Sequence, residues 1–231
     1  MQRTRPRPGD AVPDIAVETM VPCGMAVLPA TWTVPDGARA IVVFAHGSGS
    51  GRASPRNRFV ADALGAAGIA TLLVDMVLPS EAAHPQAMDA AELGERLLGA
   101  VRWSATHALE CGLPTGVFGS STGAAAALIA AAQPGSPIRA VVSRGGRTDL
   151  AMPWLARVHA PTLLIVGGAD PGVRRANQEA MASLAGDKEL VVIPGAGHLF
   201  EQPGAMERVA ALAASWFQQH LMFVPKPPAQ A

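Results

Sequence analysis

The chain has 231 residues, with 18 Lys+Arg against 18 Asp+Glu and so a formal net charge of zero. A nucleic acid held electrostatically needs a clear basic excess, so this balance argues against one. Apolar residues make up 49% and charged residues 16%, a core-rich globular composition and not a disordered one. No run of about 18 apolar residues escapes interruption by charge, Pro or Gly, so no membrane span is expected.

The length suits one domain, read here as residues 15–222 between loose, Pro-rich ends at 1–14 and 223–231. The opening MQRTRPRPGD is basic, but Pro and Asp follow where a signal peptide needs an apolar core, so a cytoplasmic setting is expected. Cys23 and Cys111 are the only cysteines. Neither belongs to a CxxC pair or a zinc-spaced cluster, so neither a disulfide scaffold nor a metal site is expected, and a single bridge between them stays open.

In chain order, Val17–Val34 holds Pro22, Gly24 and Pro29 and is expected to give one or two antiparallel edge strands. Ile41–Ala45 is an apolar strand that runs into the Gly/Ser loop His46–Gly51. A helix opens at Ser54-Pro55, with Ser as N-cap and Pro in the first turn. Ala70–Val74 is the next strand, followed by the irregular, Pro-containing Met76–Met88, a candidate pocket rim. Ala90–Leu109 reads as a long amphipathic helix. Strand Gly116–Phe118 precedes an alanine-rich helix, Ala124–Ala132. Strands Ile138–Ser143, Thr162–Val166 and Leu190–Ile193 follow, with helices at Val173–Leu184 and Met206–His220. Strands that are apolar throughout are buried on both faces. Alternating with helices, they imply an α/β fold, a mostly parallel doubly wound sheet.

Ligands of such sheets bind beyond the carboxyl ends of the strands. Three chemically capable residues lie there. Gly119-Ser120-Ser121-Thr122-Gly123 is G-x-S-x-G between a strand and a helix. The chain must reverse sharply to lift Ser121 above the sheet, and glycine at 119 and 123 avoids a collision. Asp170 follows strand 162–166, and His198 follows strand 190–193. A serine hydroxyl needs a base, and the base needs an orienting partner. His198 suits the first role and Asp170 the second, in the chain order Ser…Asp…His. Asp170 also reads as a turn former before Pro171, with Asp149 as the reserve acid. An oxyanion on Ser121 would take bonds from the Thr122 amide, at the positive end of its helix, and from the Ser48 amide.

His46 reads as a second acid/base group or, in the plainer reading, as a brace for the 46–51 loop. Arg52, Arg56 and Arg58 read as a solvated helix start, or as attraction for an anionic group. Arg144, at a strand's carboxyl end, is the candidate for binding a substrate carboxylate, against a structural pair with Asp149. Trp103, Trp154 and Trp216 read as core or pocket wall. A dinucleotide-binding reading of the 47–51 loop, with Asp75 on the ribose, fails where Arg52 replaces the third glycine. A binding-only scaffold would have no need of all three reactive residue types.

These residues resemble the α/β-hydrolase superfamily and, within it, its small dienelactone-hydrolase-like branch. The likeness runs from about Ile41 to Leu221, and FAHGSGSGRASPRNR, GSSTGAAAAL, VVSRGGRTDL, PTLLIVGGAD and GAGHLFEQPGAMERVAALAASWF carry it. It implies Ser121, Asp170 and His198 as the triad and a small-molecule ester as substrate, with no metal or organic cofactor. Lactones, thioesters and acyl transfer would use the same triad. Dienelactone hydrolases carry cysteine as nucleophile where this chain has Ser121, a departure that favours ordinary ester hydrolysis. Only residues 144–161 separate two strands where a large lid would be inserted, so none is expected.

Overall fold

A computed structural model describes residues 16–82, 89–107 and 112–222. The expected loose ends, Cys111, and 83–88 of the expected pocket rim lie outside these residues.

Among the described residues one eight-stranded sheet organises the chain. The edge segment forms a hairpin, β1 (Ala16–Cys23) and β2 (Ala26–Thr33), paired antiparallel across Cys23 and Ala26. Then come β3 (Ala40–Ala45), α1 (Pro55–Ala66), β4 (Ile69–Val74), the single turn α2 (Pro79–Ala82) and α3 (Ala90–His107). The second half holds β5 (Thr115–Ser120), α4 (Thr122–Ala131), β6 (Ile138–Arg144), β7 (Thr162–Gly167), α5 (Pro171–Ser183), β8 (Lys188–Ile193) and α6 (Ala205–Phe217). Spatial order is β1-β2-β4-β3-β5-β6-β7-β8. Only the β1–β2 and β2–β4 pairings are antiparallel.

The apolar runs are buried on both faces, as continuous Val/Ile/Leu strands must be. Val42, Phe44, Phe118 and Val142 face α1 and α6. Ile41, Val43, Val117 and Val141 face α3 and α4. Phe44 and Phe118 sit opposite each other in register, ring centroids 4.9 Å apart. Ala124 to Ala127 are fully buried, and their small side chains let α4 press close between the sheet and α3. Ser54 caps α1, its Oγ accepting from the Asn57 amide at 3.4 Å, with Pro55 in the first turn, an arrangement worth about 1 kcal/mol. Trp103 packs edge-on to Trp32, and Trp216 lies in the α1/α6 core.

Two elements differ from expectation. β8 is half exposed and not buried on both faces, because it is the sheet's edge. Residues Thr148–Arg157 form a 3-10 helix where sequence gave no periodicity; Pro153 inside it prevents a regular α-helix. It packs on α4 and α5. No described helix is long and apolar enough to cross a membrane.

The turn α2 is pinned to α3 by Arg96, whose Nη1 donates to Glu81 Oε2 at 2.8 Å; Glu81 also accepts from the Leu78 amide at 2.7 Å. The Arg96 hydrogen bond holds the Glu81 carboxyl down from 4.5 to about 2. A depressed carboxyl contributes stability above its unfolded pKa, and loses it as pH falls toward the folded value. Glu81→Gln should therefore be less stable than wild type at pH 7. The gap, at most about 1 kcal/mol for a side chain one-third in water, should close between pH 4.5 and about 2. Denaturant unfolding of both proteins across that range checks it.

Candidate active site

The site is built around a strained residue. Ser121 caps α4 at φ 52° and ψ −120°, backbone that a residue with a Cβ avoids. Its amide donates to the Arg144 carbonyl at 3.1 Å, and its carbonyl accepts from the Arg147 and Ala124 amides at 3.0 and 3.1 Å. The glycines on either side are sterically required. A Cβ on Gly119 would lie 2.5 Å from Ala124 Cα, and one on Gly123 would strike the Ala45 carbonyl oxygen. Gly47 faces the serine, since a Cβ there would come within 2.9 Å of Ser121 Cβ.

Ser121, Asp170 and His198, read from three different strand ends, converge. Asp170 Oδ2 accepts from His198 Nδ1 at 2.7 Å. A carboxylate only accepts, so Nδ1 carries the proton and Nε2 is free. Ser121 Oγ then donates to Nε2 at 3.3 Å, a long hydrogen bond of the kind common before substrate arrives. Asp170 is also the N-cap of α5, accepting from the Val173 amide at 3.3 Å through its other oxygen. The reserve acid Asp149 is engaged elsewhere, held by Arg147 Nη2 at 2.7 Å, and that guanidinium lowers its carboxyl pKa. A cleft of about 420 Å³ lies beside Asp170, lined also by Arg147, Asp149, Arg175 and Glu179; neither Ser121 nor His198 lines it.

The two expected oxyanion donors stand differently. The Thr122 amide opens α4 and donates to no group among the described residues. The Ser48 amide is already engaged, donating to Thr122 Oγ1 at 2.9 Å, with the two hydroxyls 3.1 Å apart. Sequence does not reveal this bond, because it depends on where one threonine rotamer points.

The loop before Ser48 is braced twice. His46 is buried; its Nε2 accepts from the Met76 amide at 2.9 Å, so Nδ1–H donates to the Gly47 carbonyl at 2.9 Å. Arg52 does not stand in a solvated helix start. Its amide and Nη1 donate to Asp75 at 2.6 and 2.7 Å, and its Nη2 reaches Glu18 on β1 at 2.7 Å. Asp75, the residue a dinucleotide reading would place on a ribose, is thus occupied. Cys23 is a buried free thiol, pushed up to about 11 by that burial.

Arg144 adjoins Ser121 through its backbone carbonyl but does not pair with Asp149. Its side chain points to the α1/α6 side, the guanidinium 5.8 Å from the Phe200 ring centroid. Burial, with the Arg56 charge nearby, draws it down to about 10. Phe200, which covers it, is itself held at φ 55°.

A mostly parallel sheet with a strained serine elbow between a strand and a helix is the architecture of an α/β-hydrolase. A dienelactone hydrolase of Anabaena variabilis is 46% identical in its crystal structure, with a TM-score of 0.86 over 90% of this chain and 99% of that one. The chain belongs to the dienelactone-hydrolase-like branch of the α/β-hydrolase superfamily. Est1E of Butyrivibrio proteoclasticus shares the fold at 15% identity, with a TM-score of 0.76 over 89% of this chain and 99% of its own. Two Mycobacterium tuberculosis proteins, whose given name proposes a phosphoribosyl transferase, are 52% identical over 205 residues. That match covers 88% of this chain but 46% of theirs, so the chain spans about half the length of these curated relatives. No protein-family model matches the chain.

Asp75→Ala removes the two carboxylate oxygens that accept from the Arg52 amide and Nη1, leaving Arg52 only its exposed pair with Glu18. Charge-assisted bonds of this kind are worth roughly 1.5–3 kcal/mol, so amides 48–54 should exchange with deuterium at least about tenfold faster. Amides 172–175 should not change. Hydrogen-exchange mass spectrometry of the two proteins reads this directly.

Proposed function

We propose that this protein is a serine hydrolase that cleaves small carboxylic esters of short to medium acyl chain. The observation that carries the reading is the continuous contact Asp170–His198–Ser121, at 2.7 and 3.3 Å. In this scheme His198 Nε2 takes the Ser121 proton as Oγ attacks the ester carbonyl, and Asp170 stabilises the imidazolium that forms. The tetrahedral oxyanion sits at the positive end of α4 and takes a bond from the Thr122 amide. The Ser48 amide joins when the Thr122 hydroxyl turns away from it. The imidazolium protonates the departing alcohol and leaves an acyl-Ser121. Water activated by His198 then releases the acid. The scheme uses no cofactor, and the setting proposed is cytoplasmic.

Lactones follow the same route, and the likeness to the Anabaena dienelactone hydrolase keeps them within the proposal. Phosphoribosyl transfer, for which the mycobacterial relatives are named, gains no support from a serine–histidine–carboxylate array. This chain also matches less than half of their length. The short connection between β6 and β7, taken up by the 3-10 helix at Thr148–Arg157, leaves little chain for a lid and supports a tight, short-chain acyl pocket.

A fluorophosphonate probe should label wild type at Ser121 and fail to label Ser121→Ala. Turnover of p-nitrophenyl butyrate should fall at least about a thousandfold in Ser121→Ala and in His198→Ala, with the folds intact by circular dichroism. A fall of only a few-fold would refute the scheme. In a p-nitrophenyl series the rate should peak at acetate to butyrate, and a peak at C12 would refute the tight pocket.

A further inference from the structure

Asn177, in the middle of α5, is fully buried. Its Nδ2 donates twice, to the Gly146 carbonyl and to the Val173 carbonyl, each at 2.8 Å. Both neighbours are acceptors, so the NH2 edge of the amide must face them. Its Oδ1 is buried without a hydrogen-bond partner. An unmet buried acceptor is costly, and an apolar side chain of the same size would avoid it. As core filling, then, asparagine is a poor choice here. What it does provide is a link between two segments 31 residues apart in the chain.

That link closes a circuit behind the reactive residues. A single peptide group, between Gly146 and Arg147, serves one side of it. Its carbonyl accepts from Asn177, and its N–H donates to the Ser121 carbonyl at 3.0 Å. On the other side Asn177 holds the Val173 carbonyl, and the Val173 amide donates to Asp170 Oδ1 at 3.3 Å. In front, Asp170 Oδ2, His198 and Ser121 Oγ are joined at 2.7 and 3.3 Å. Serine and aspartate are thus connected twice, once through the histidine and once through Asn177. The second connection matters because β6 separates β5 from β7, the strands that lead to Ser121 and Asp170. Direct strand pairing therefore does not set their spacing. A satisfied chain of buried hydrogen bonds rigidifies what it joins.

We propose that Asn177 is a positioning residue: its amide fixes α5, and with it the Asp170 carboxylate, against the turn behind Ser121, so that His198 is held in the tautomer and direction the serine needs. This rests on the serine-hydrolase reading and adds to it a residue that touches no reacting atom.

Asn177→Leu keeps the volume and removes the donor. Asn177→Ser keeps a hydroxyl that can donate to the Val173 carbonyl one turn back but is too short to span to Gly146, and it serves should the leucine variant fold poorly. In either variant, assayed well below its Tm, kcat for p-nitrophenyl butyrate should fall about tenfold to hundredfold, the scale of a small misplacement of catalytic groups. KM should stay within about twofold of wild type. Nitrogen NMR of the labelled, neutral imidazole, assigned by its loss in His198→Ala, reads orientation without turnover. While Asp170 fixes the proton on Nδ1, the two ring nitrogens give widely separated signals. Loss of the link should draw them together as the second tautomer becomes populated. A lower Tm with kcat and the nitrogen signals unchanged would make Asn177 a structural strut only and overturn the proposal. So would a lost kcat with the signals unmoved, or moved signals with kcat kept. Ser121→Ala separates the two readings. If it loses turnover and Asn177→Leu does not, the hydrolase stands and the positioning role falls. If Ser121→Ala keeps full turnover, the serine hydrolase falls, and the nitrogen signals of Asn177→Leu alone decide whether this residue orients His198.

Discussion

The tightest constraint in the molecule is the contact between the end of β3 and the turn after β5. A methyl group on residue 123 would run into the Ala45 carbonyl, and one on residue 47 would meet Ser121 Cβ. Two backbones therefore touch where most proteins would interpose side chains. That contact, with three hydrogen bonds on the Ser121 peptide groups from β6, α4 and the turn after β6, holds the serine at φ 52°. Such strain costs on the order of 1–3 kcal/mol and persists only where the surroundings over-determine it. The buried strands β3, β5 and β6 supply that surplus. The hydroxyl consequently has one position relative to the sheet, and every other member of the site is measured from it.

Around this fixed point, ion pairs decide which charged groups remain free to act. Arg52 ties the 47–51 loop to β4 and β1 through Asp75 and Glu18. Arg147 holds Asp149 away from the histidine. Each pair fastens a loop and also removes a carboxylate from competition. Asp170 is left in contact with His198, and the Arg144 guanidinium keeps two buried nitrogens without a hydrogen-bond partner.

Much of this was legible in the sequence, for reasons that differ by element. The central strands read clearly because burial on both faces demands uninterrupted Val, Ile and Leu. β8 misled, because Leu190–Ile193 is as apolar as the inner strands, and only the strand order shows that it is an edge. The Thr148–Arg157 helix was illegible because a 3-10 helix with an internal proline has neither of the usual periods. The meeting of Ser121, Asp170 and His198 was legible because each closely follows a strand end, where an α/β sheet puts its ligands. The Thr122 hydroxyl on the Ser48 amide was not. It depends on side-chain direction across distant segments, which no spacing encodes. Sequence offered Arg144 an ion pair with Asp149 five residues on; the turn between them hands that acid to Arg147 instead.

Asp170 shows why two readings of one residue need not compete. An aspartate before a proline at a helix start is ordinary capping chemistry, and Oδ1 does accept from the Val173 amide. A carboxylate has a second oxygen, and Oδ2 faces His198. The cap fixes the carboxylate's plane and rotamer through the first turn of α5, so the second oxygen is aimed before any substrate binds. The pairing also limits substitution. Asparagine can keep the cap through its carbonyl oxygen, but it then turns an amide toward Nδ1 and favours the wrong imidazole tautomer. Glutamate keeps the charge but, one methylene longer, cannot hold the cap and the histidine from the same backbone position. The local requirement of a helix start and the long-range contact with His198 converge on aspartate at this position.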